Sequence, residues 1–206
     1  MTQSAASFNF LATLQSKVTA PSSPAQEVRR EAIAKKIDLN AGIKLVLVHG
    51  PAGLGKTTVL SQLKRQYEQQ GISTTWLTLD NSDNDLSRFL VSLSAALDKI
   101  SPENNNSNEA QAEEVSKAAE KDAGDVIVRV MNRINKFNRP VVAFFDEFEV
   151  LHNPVVVQLI ASRAELLPPK SVLIIGSRTI PDMGIPRMRA RGLLTEIDTE
   201  LLRFSE

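Results

Sequence analysis

Residues 50–58, GPAGLGKTT, bring glycines, a lysine and two threonines into the spacing G-x-x-x-x-G-K-[ST], the pattern of a phosphate-binding loop. Gly50, Gly53 and Gly55 permit backbone angles that turn successive N–H groups inward, forming a concave nest for polyphosphate oxygens, with Pro51, Ala52 and Leu54 completing the turn. The helix expected to follow adds the positive end of its dipole. Lys56 would set its ammonium against the β- and γ-phosphates, and the Thr57 hydroxyl would help hold a magnesium ion that keeps several waters. Thr58 would cap or pack. The loop therefore predicts a bound nucleoside triphosphate; the alternative is an ordinary glycine-rich turn between a strand and a helix.

Hydrolysis needs a metal anchor and a group that orients water, both expected at the carboxyl end of a neighbouring strand. VVAFFDEFEVL supplies candidates: Asp146 closes an apolar run in the manner of a Walker B aspartate, and Glu147 follows it directly as the group to polarise water. Capping of a strand end is the competing explanation for such a pair. Arg178, in IIGSRT, stands at the tip of the next apolar run, where its guanidinium could meet a γ-phosphate bidentately or could simply be a surface arginine.

These groups must be positioned by alternating strands and helices. Apolar runs predict strands at 43–49, 73–80, 140–146, 171–177 and 193–198. Helical spacing predicts helices through Val59, Leu60, Leu63 and Tyr67, through Leu86, Phe89, Leu90, Leu93, Leu97 and Ile100, through Val126, Ile127, Val130, Ile134 and Phe137, and over the proline-led 154–167. VRREAIAKKI (28–37) reads as a short helix with Val28, Ile33 and Ile37 on one side. Residues 1–25, polar and Ser/Pro-containing, read as an extended arm. Residues 101–123, with an Asn run and almost no large apolar side chains, read as a flexible insertion. The expected fold is a three-layer α/β/α domain over residues 26–206 around a parallel five-stranded sheet.

The composition narrows the function classes. At 206 residues and 42% hydrophobic, the chain suits one α/β domain with a sizeable core. Lys plus Arg and Asp plus Glu both total 24, so no global field favours nucleic acid or an anionic membrane surface. Cysteine is absent, which removes disulfides and thiolate metal sites and agrees with a cytoplasmic location. Two histidines, His49 and His152, cannot make a histidine-rich metal site. The short stretch FNFLATL lacks a basic lead, and no apolar run approaches the length of a membrane span.

Beyond these motifs, the chain from about residue 16 onward resembles the N-terminal nucleotide-binding domain of large ATP-dependent LuxR-type transcription regulators, the MalT-like group of the STAND class of P-loop NTPases. SKVTAP with VRREAIAKKI is similar to that family's lead-in, and HGPAGLGKTTVLSQ to its phosphate loop. WLTLDNSDNDLSRFLVSLSAAL and SVLIIGSRTIPDMGIPRMRARGLLTEIDTELLRFSE are similar to its two longer signature segments. The resemblance implies the strand order 5-1-4-3-2, ATP or ADP with Mg2+ as ligands, and Arg178 as a sensor arginine. It also implies that Val28 and Arg30 lie against the adenine, and that Asp80 and Asp83 belong to a matched loop that helix capping explains equally well.

Arg187, Arg189 and Arg191 would lie near the hinge to a following domain rather than on DNA. Winged-helix, helical-repeat and helix-turn-helix domains are expected downstream, with self-association in the ATP state and DNA contact only through a domain outside this chain. One departure stands out: the family carries Asp-Asp-[YF]-His after the Walker B strand, and this chain has Asp-Glu-Phe-Glu, with Glu149 at the histidine position. Slow ATP hydrolysis as a switch is the expected activity. An AAA+ type motor or loader, a small-molecule phosphotransferase and a nucleotide-binding scaffold without turnover remain as alternatives.

Overall fold

The computed structural model describes residues 12–22, 28, 30–100, 127–128, 130, 132–133 and 139–203. The predicted 101–123 insertion lies outside the described residues. Five strands, β1 (Leu45–His49), β2 (Ser73–Thr78), β3 (Val141–Asp146), β4 (Val172–Ser177) and β5 (Leu194–Ile197), form one sheet in the order β2-β3-β4-β1-β5. Every neighbouring pair is parallel, so the expected order 5-1-4-3-2 is the observed one counted from the other edge. β1 and β3 both flank β4, which brings the carboxyl ends of all three together.

Alternation along the central strands divides the core between the two faces. Leu45, Leu47, Phe145 and Ile175 point to one face, packing with α4 (Leu86–Asp98) and α5 (Pro154–Glu165) through Phe89, Leu90 and Ile160. Val46, Val48, Phe144 and Ile174 point to the other, against α3 (Lys56–Gln69) through Leu60 and Leu63. Each layer carries an aromatic pair: Trp76 stacks on Phe144 with centroids 6.0 Å apart, and Phe89 meets Phe145 edge-on at 6.5 Å. Such pairs contribute about 0.5–1.5 kcal/mol each beyond the area they bury. Short polar side chains start the helices, Asp85 accepting from the Arg88 N–H at 2.9 Å and Asn153 from that of Val155 at 2.9 Å. No helix among the described residues is long and apolar enough to cross a membrane.

Two local expectations need correction. Within the predicted extended arm, residues 12–17 form a helix, α1. Leu14 and Val18, four residues apart, are buried, and Leu14 meets Val91 of α4. The Lys17 ammonium lies 2.6 Å from Asp83 Oδ2 and 3.2 Å from Asp80 Oδ2. Asp83 is wholly buried and also accepts from Ser92 Oγ at 3.0 Å and from the Asp80 N–H at 2.9 Å. Tertiary packing and one paired buried charge hold this helix, not local composition. The second correction concerns 28–37, where helix α2 spans only Glu31–Lys35. Ile33 and Ile37 are buried as expected, but Val28 is 60% exposed. Its carbonyl accepts from Gln62 Nε2 (2.8 Å) while the Arg30 N–H donates to Gln62 Oε1 (3.1 Å), so α3 holds Val28 and Arg30 by their backbone.

Candidate functional site

The phosphate loop leaves β1 at Gly50, whose N–H donates to the Ser177 carbonyl at 3.2 Å and so ties the loop to the end of β4. Gly50, Gly53 and Gly55 all have positive φ, and Gly55, at φ 75° and ψ 28°, turns the chain directly into α3. A side chain there would be strained, and without one the first N–H groups of α3 stay uncapped by any side chain. Pro51 and Ala52 are exposed on the loop, while Leu54 packs into the core beneath it. Lys56 folds back so that Nζ donates to the carbonyls of Gly50 (2.8 Å) and Pro51 (3.0 Å). The Thr57 hydroxyl donates to Asp146 Oδ2 at 2.7 Å, joining α3 to the end of β3. Thr58 sits half-buried beside Gly55.

Asp146 is only 3% exposed. Burial raises its carboxyl above the usual aspartate range, opposed by the hydrogen bonds from Thr57 and from the Glu147 backbone. Room for this carboxylate comes from Gly176 on β4, where a Cβ would fall 2.6 Å from Asp146 Oδ1. Gly176 was not among the sequence candidates; a glycine near the end of an otherwise branched, apolar run is the signal that could have found it.

Beyond Asp146 the chain changes character. Glu147 adopts φ 56° and ψ 38°, a left-handed conformation that non-glycine residues seldom take. Its carboxylate lies 3.2 Å from an Arg178 terminal nitrogen. Burial first, then the neighbouring Glu149 and Asp146 carboxylates, push the Glu147 carboxyl up, while Arg178 pulls the other way. Glu149 Oε1 stands 2.7 Å from Arg178 Nε as an ion pair lacking hydrogen-bond geometry, and Oε2 accepts from the Arg178 backbone N–H at 3.1 Å. The structure thus gathers Lys56, Thr57, Asp146, Glu147 and Arg178 at the carboxyl ends of β1, β3 and β4.

A second residue absent from the sequence candidates, Asn84, pins the far side of this turn. Its Oδ1 accepts from the N–H groups of His152 (2.8 Å) and Asn153 (2.9 Å), and its Nδ2 donates to the Val150 carbonyl (2.9 Å). Only a contact prediction could have found it, because its partners lie over sixty residues away.

Arg30 reaches the loop: one terminal nitrogen donates to the Leu202 carbonyl, and the other would lie 3.7 Å from a Cβ at Gly55. Burial lowers its pKa. Val28 remains exposed, held through its backbone to Gln62. The arginines of α6 (Ile185–Ala190) and its cap turn to acids, Arg187 and Arg191 to Glu165 and Arg189 to Glu196 at 2.8 Å.

The chain is 28% identical over 192 residues to the HTH-type transcriptional regulator MalT of Klebsiella pneumoniae, an alignment covering 93% of this chain and 20% of MalT. It therefore spans about a fifth of that relative's length. Among solved structures, the Aeropyrum pernix ORC1 protein in complex with DNA superposes with a TM-score of 0.52 at 16% identity, over 85% of this chain and 46% of that one. Cdc6p from Pyrobaculum aerophilum gives 0.52 at 13% identity, over 88% and 50%. At such identities the structural likeness speaks for the fold alone. Residues 26–175 match the AAA ATPase domain, most of the 206 residues present. The chain belongs to the AAA ATPase domain family, and its similarity to MalT agrees with the resemblance drawn from its motifs.

Proposed function

We propose that this AAA ATPase domain is an ATP-binding switch of a MalT-like transcriptional regulator, which exchanges ADP for ATP and resets by slow hydrolysis. The observation that carries this reading is the 2.7 Å hydrogen bond between Thr57 and the buried Asp146, beside a phosphate loop whose lysine rests on its own carbonyls. The uncapped N–H groups of α3 and the loop glycines would receive the phosphates, and Lys56 would exchange two neutral carbonyls for β- and γ-phosphate oxygens.

A hydroxyl and a carboxylate are hard oxygen donors, so Thr57 and Asp146 fit magnesium, with the Gly176 gap leaving the carboxylate its place. Magnesium, when bound, would neutralise charge on the phosphates. Glu147 would orient water and take its proton as the water oxygen bonds to the γ-phosphorus and the bond to the bridging oxygen breaks, giving ADP and phosphate. Its raised carboxyl suits a base working nearer neutral pH. Arg178 would meet the γ-phosphate, a contact that ADP lacks, and this difference in affinity is what can shift a conformational equilibrium. Val28 and Arg30 would face the adenine. Self-association in the ATP state, and DNA contact through other domains of a longer polypeptide, complete the proposal.

One observation favours a second reading: Glu147 and Arg178, the two groups needed for turnover, are paired with each other. A scaffold that binds nucleotide without hydrolysis would look the same. Phosphate release under excess ATP separates the two. The switch requires measurable release by the wild type that Glu147→Gln loses while still binding ATP. Equal release by the two proteins would remove Glu147 from the mechanism, and no release from either would favour the scaffold.

A further inference from the structure

Glu149, two residues past Glu147, makes contacts that the proposed hydrolysis does not use. Its side chain is 15% exposed, against 54% for Arg178. The carboxylate meets Arg178 twice, accepting a hydrogen bond from the backbone N–H just past β4 and forming an ion pair with Nε of the side chain. Glu147 takes one terminal nitrogen at 3.2 Å. Among the described residues, no contact engages the second terminal nitrogen.

A guanidinium is a planar fork whose donors cannot be redirected one at a time. The backbone hydrogen bond and the charge beside Nε therefore hold the root and inner side of the group in place, while its terminal edge stays on an exposed, exchangeable partner. An incoming γ-phosphate would compete with Glu147 for that edge and leave the Glu149 contacts intact. The same exchange would release Glu147 for water. The two carboxylates thus divide one arginine into a fixed side and an exchangeable side.

From this division we infer that Glu149 is a positioning residue: by holding Arg178 at Nε and at its backbone, it sets the preference of the site for ATP over ADP. The inference rests on the switch reading given above and assigns the residue that tunes it. It predicts an effect confined to the nucleotide that carries a γ-phosphate. A residue that only repelled phosphate electrostatically would act in the opposite direction, since removing its charge would tighten ATP more than ADP.

The test is calorimetric affinity for ATP and for ADP in magnesium, on wild type, Glu149→Gln, Arg178→Ala and the double variant. Glu149→Gln preserves shape and removes charge. It should weaken ATP roughly five- to tenfold and leave ADP within about twofold. In the Arg178→Ala background the same change should do nothing further, because the group it positions is gone. Equal shifts for both nucleotides, a tighter ATP, or an undiminished effect without Arg178 would each overturn the inference.

Should Glu149→Gln fold poorly, Arg178→Lys gives an independent reading. It keeps the exposed charge but has no Nε, so it should lose ATP preference as Arg178→Ala does, and full retention would contradict the proposal. Failure of the underlying reading has another signature: a wild-type preference for ATP that Arg178→Ala leaves untouched.

Discussion

Asp146 and Glu147 are adjacent in sequence and belong to two different kinds of structure. Asp146 ends a strand buried on both faces, meets a hydroxyl at 2.7 Å, and owes its space to a glycine on the next strand. Glu147 begins a turn in a left-handed conformation, with an exposed arginine for its partner. The cradle is built by the sheet itself, so its geometry is set when the core packs. The turn beyond it is set by a few long-range contacts, from Asn84 and from the Glu149–Arg178 pair. A site that must hold phosphate constantly and sense its γ-group conditionally would place the rigid part in the sheet and the exchangeable part outside it.

The sharpest way to break this comparison is Gly176→Ala. The added Cβ would meet Asp146 Oδ1 at 2.6 Å between two packed strands, and should cost about 2–3 kcal/mol, or roughly 5–10 °C in Tm. Magnesium-dependent ATP binding should fall with it. Thermal melts that match wild type would mean that the cradle is not rigid.

Next in size, Asn84→Ala strips partners from the Val150 carbonyl and from the His152 and Asn153 N–H groups, at about 1–2 kcal/mol. Because it acts on the turn and not on the cradle, phosphate release should drop while ATP affinity stays within about threefold. Equal losses in both would erase the division between the two regions.

Asp146→Asn should have the opposite sign. A carboxyl whose folded pKa lies above its unfolded value makes the folded state hold more protons, so stability falls as pH rises through the interval between the two. Above that interval the wild type bears the full penalty of a buried charge. The neutral variant should therefore be more stable without ligand at neutral pH by about 1 kcal/mol, and should show a flatter pH profile from the ordinary carboxylate range upward, while losing magnesium-dependent binding. Urea melts across pH measure both. A variant less stable than wild type at neutral pH would show that Asp146 stabilises the fold.

Smallest of all should be the effect of Arg178→Ala on stability. Its side chain is 54% exposed and its ion pairs are screened, so the change should stay within about 0.5 kcal/mol. A larger loss would place Arg178 among the groups that hold the fold.

The same division explains what the chain discloses before it folds. The loop from Gly50 to Thr58 is legible because its chemistry is local, and the strand ends at Asp146 and Arg178 are legible because buried parallel strands are continuously apolar. Helix α1 is not, since its polar sequence conceals Leu14 and the adjoining Val18, and the charge that anchors Lys17 comes from Asp83 in the short 3-10 helix after β2. Val28 follows helical spacing with Ile33 and Ile37, yet Gln62 of α3 captures its backbone and leaves it exposed. Gly176, Asn84 and the hold of Glu149 on Arg178 are contacts between segments far apart in the chain, which periodicity does not encode.

The most direct test of the central claim is isothermal titration of magnesium ATP into the wild type and into Lys56→Ala. Saturable binding in the wild type, weakened at least about a hundredfold in the variant, is the expected result. No heat in either protein, or equal affinity in both, would contradict the assignment of this loop as a nucleotide site.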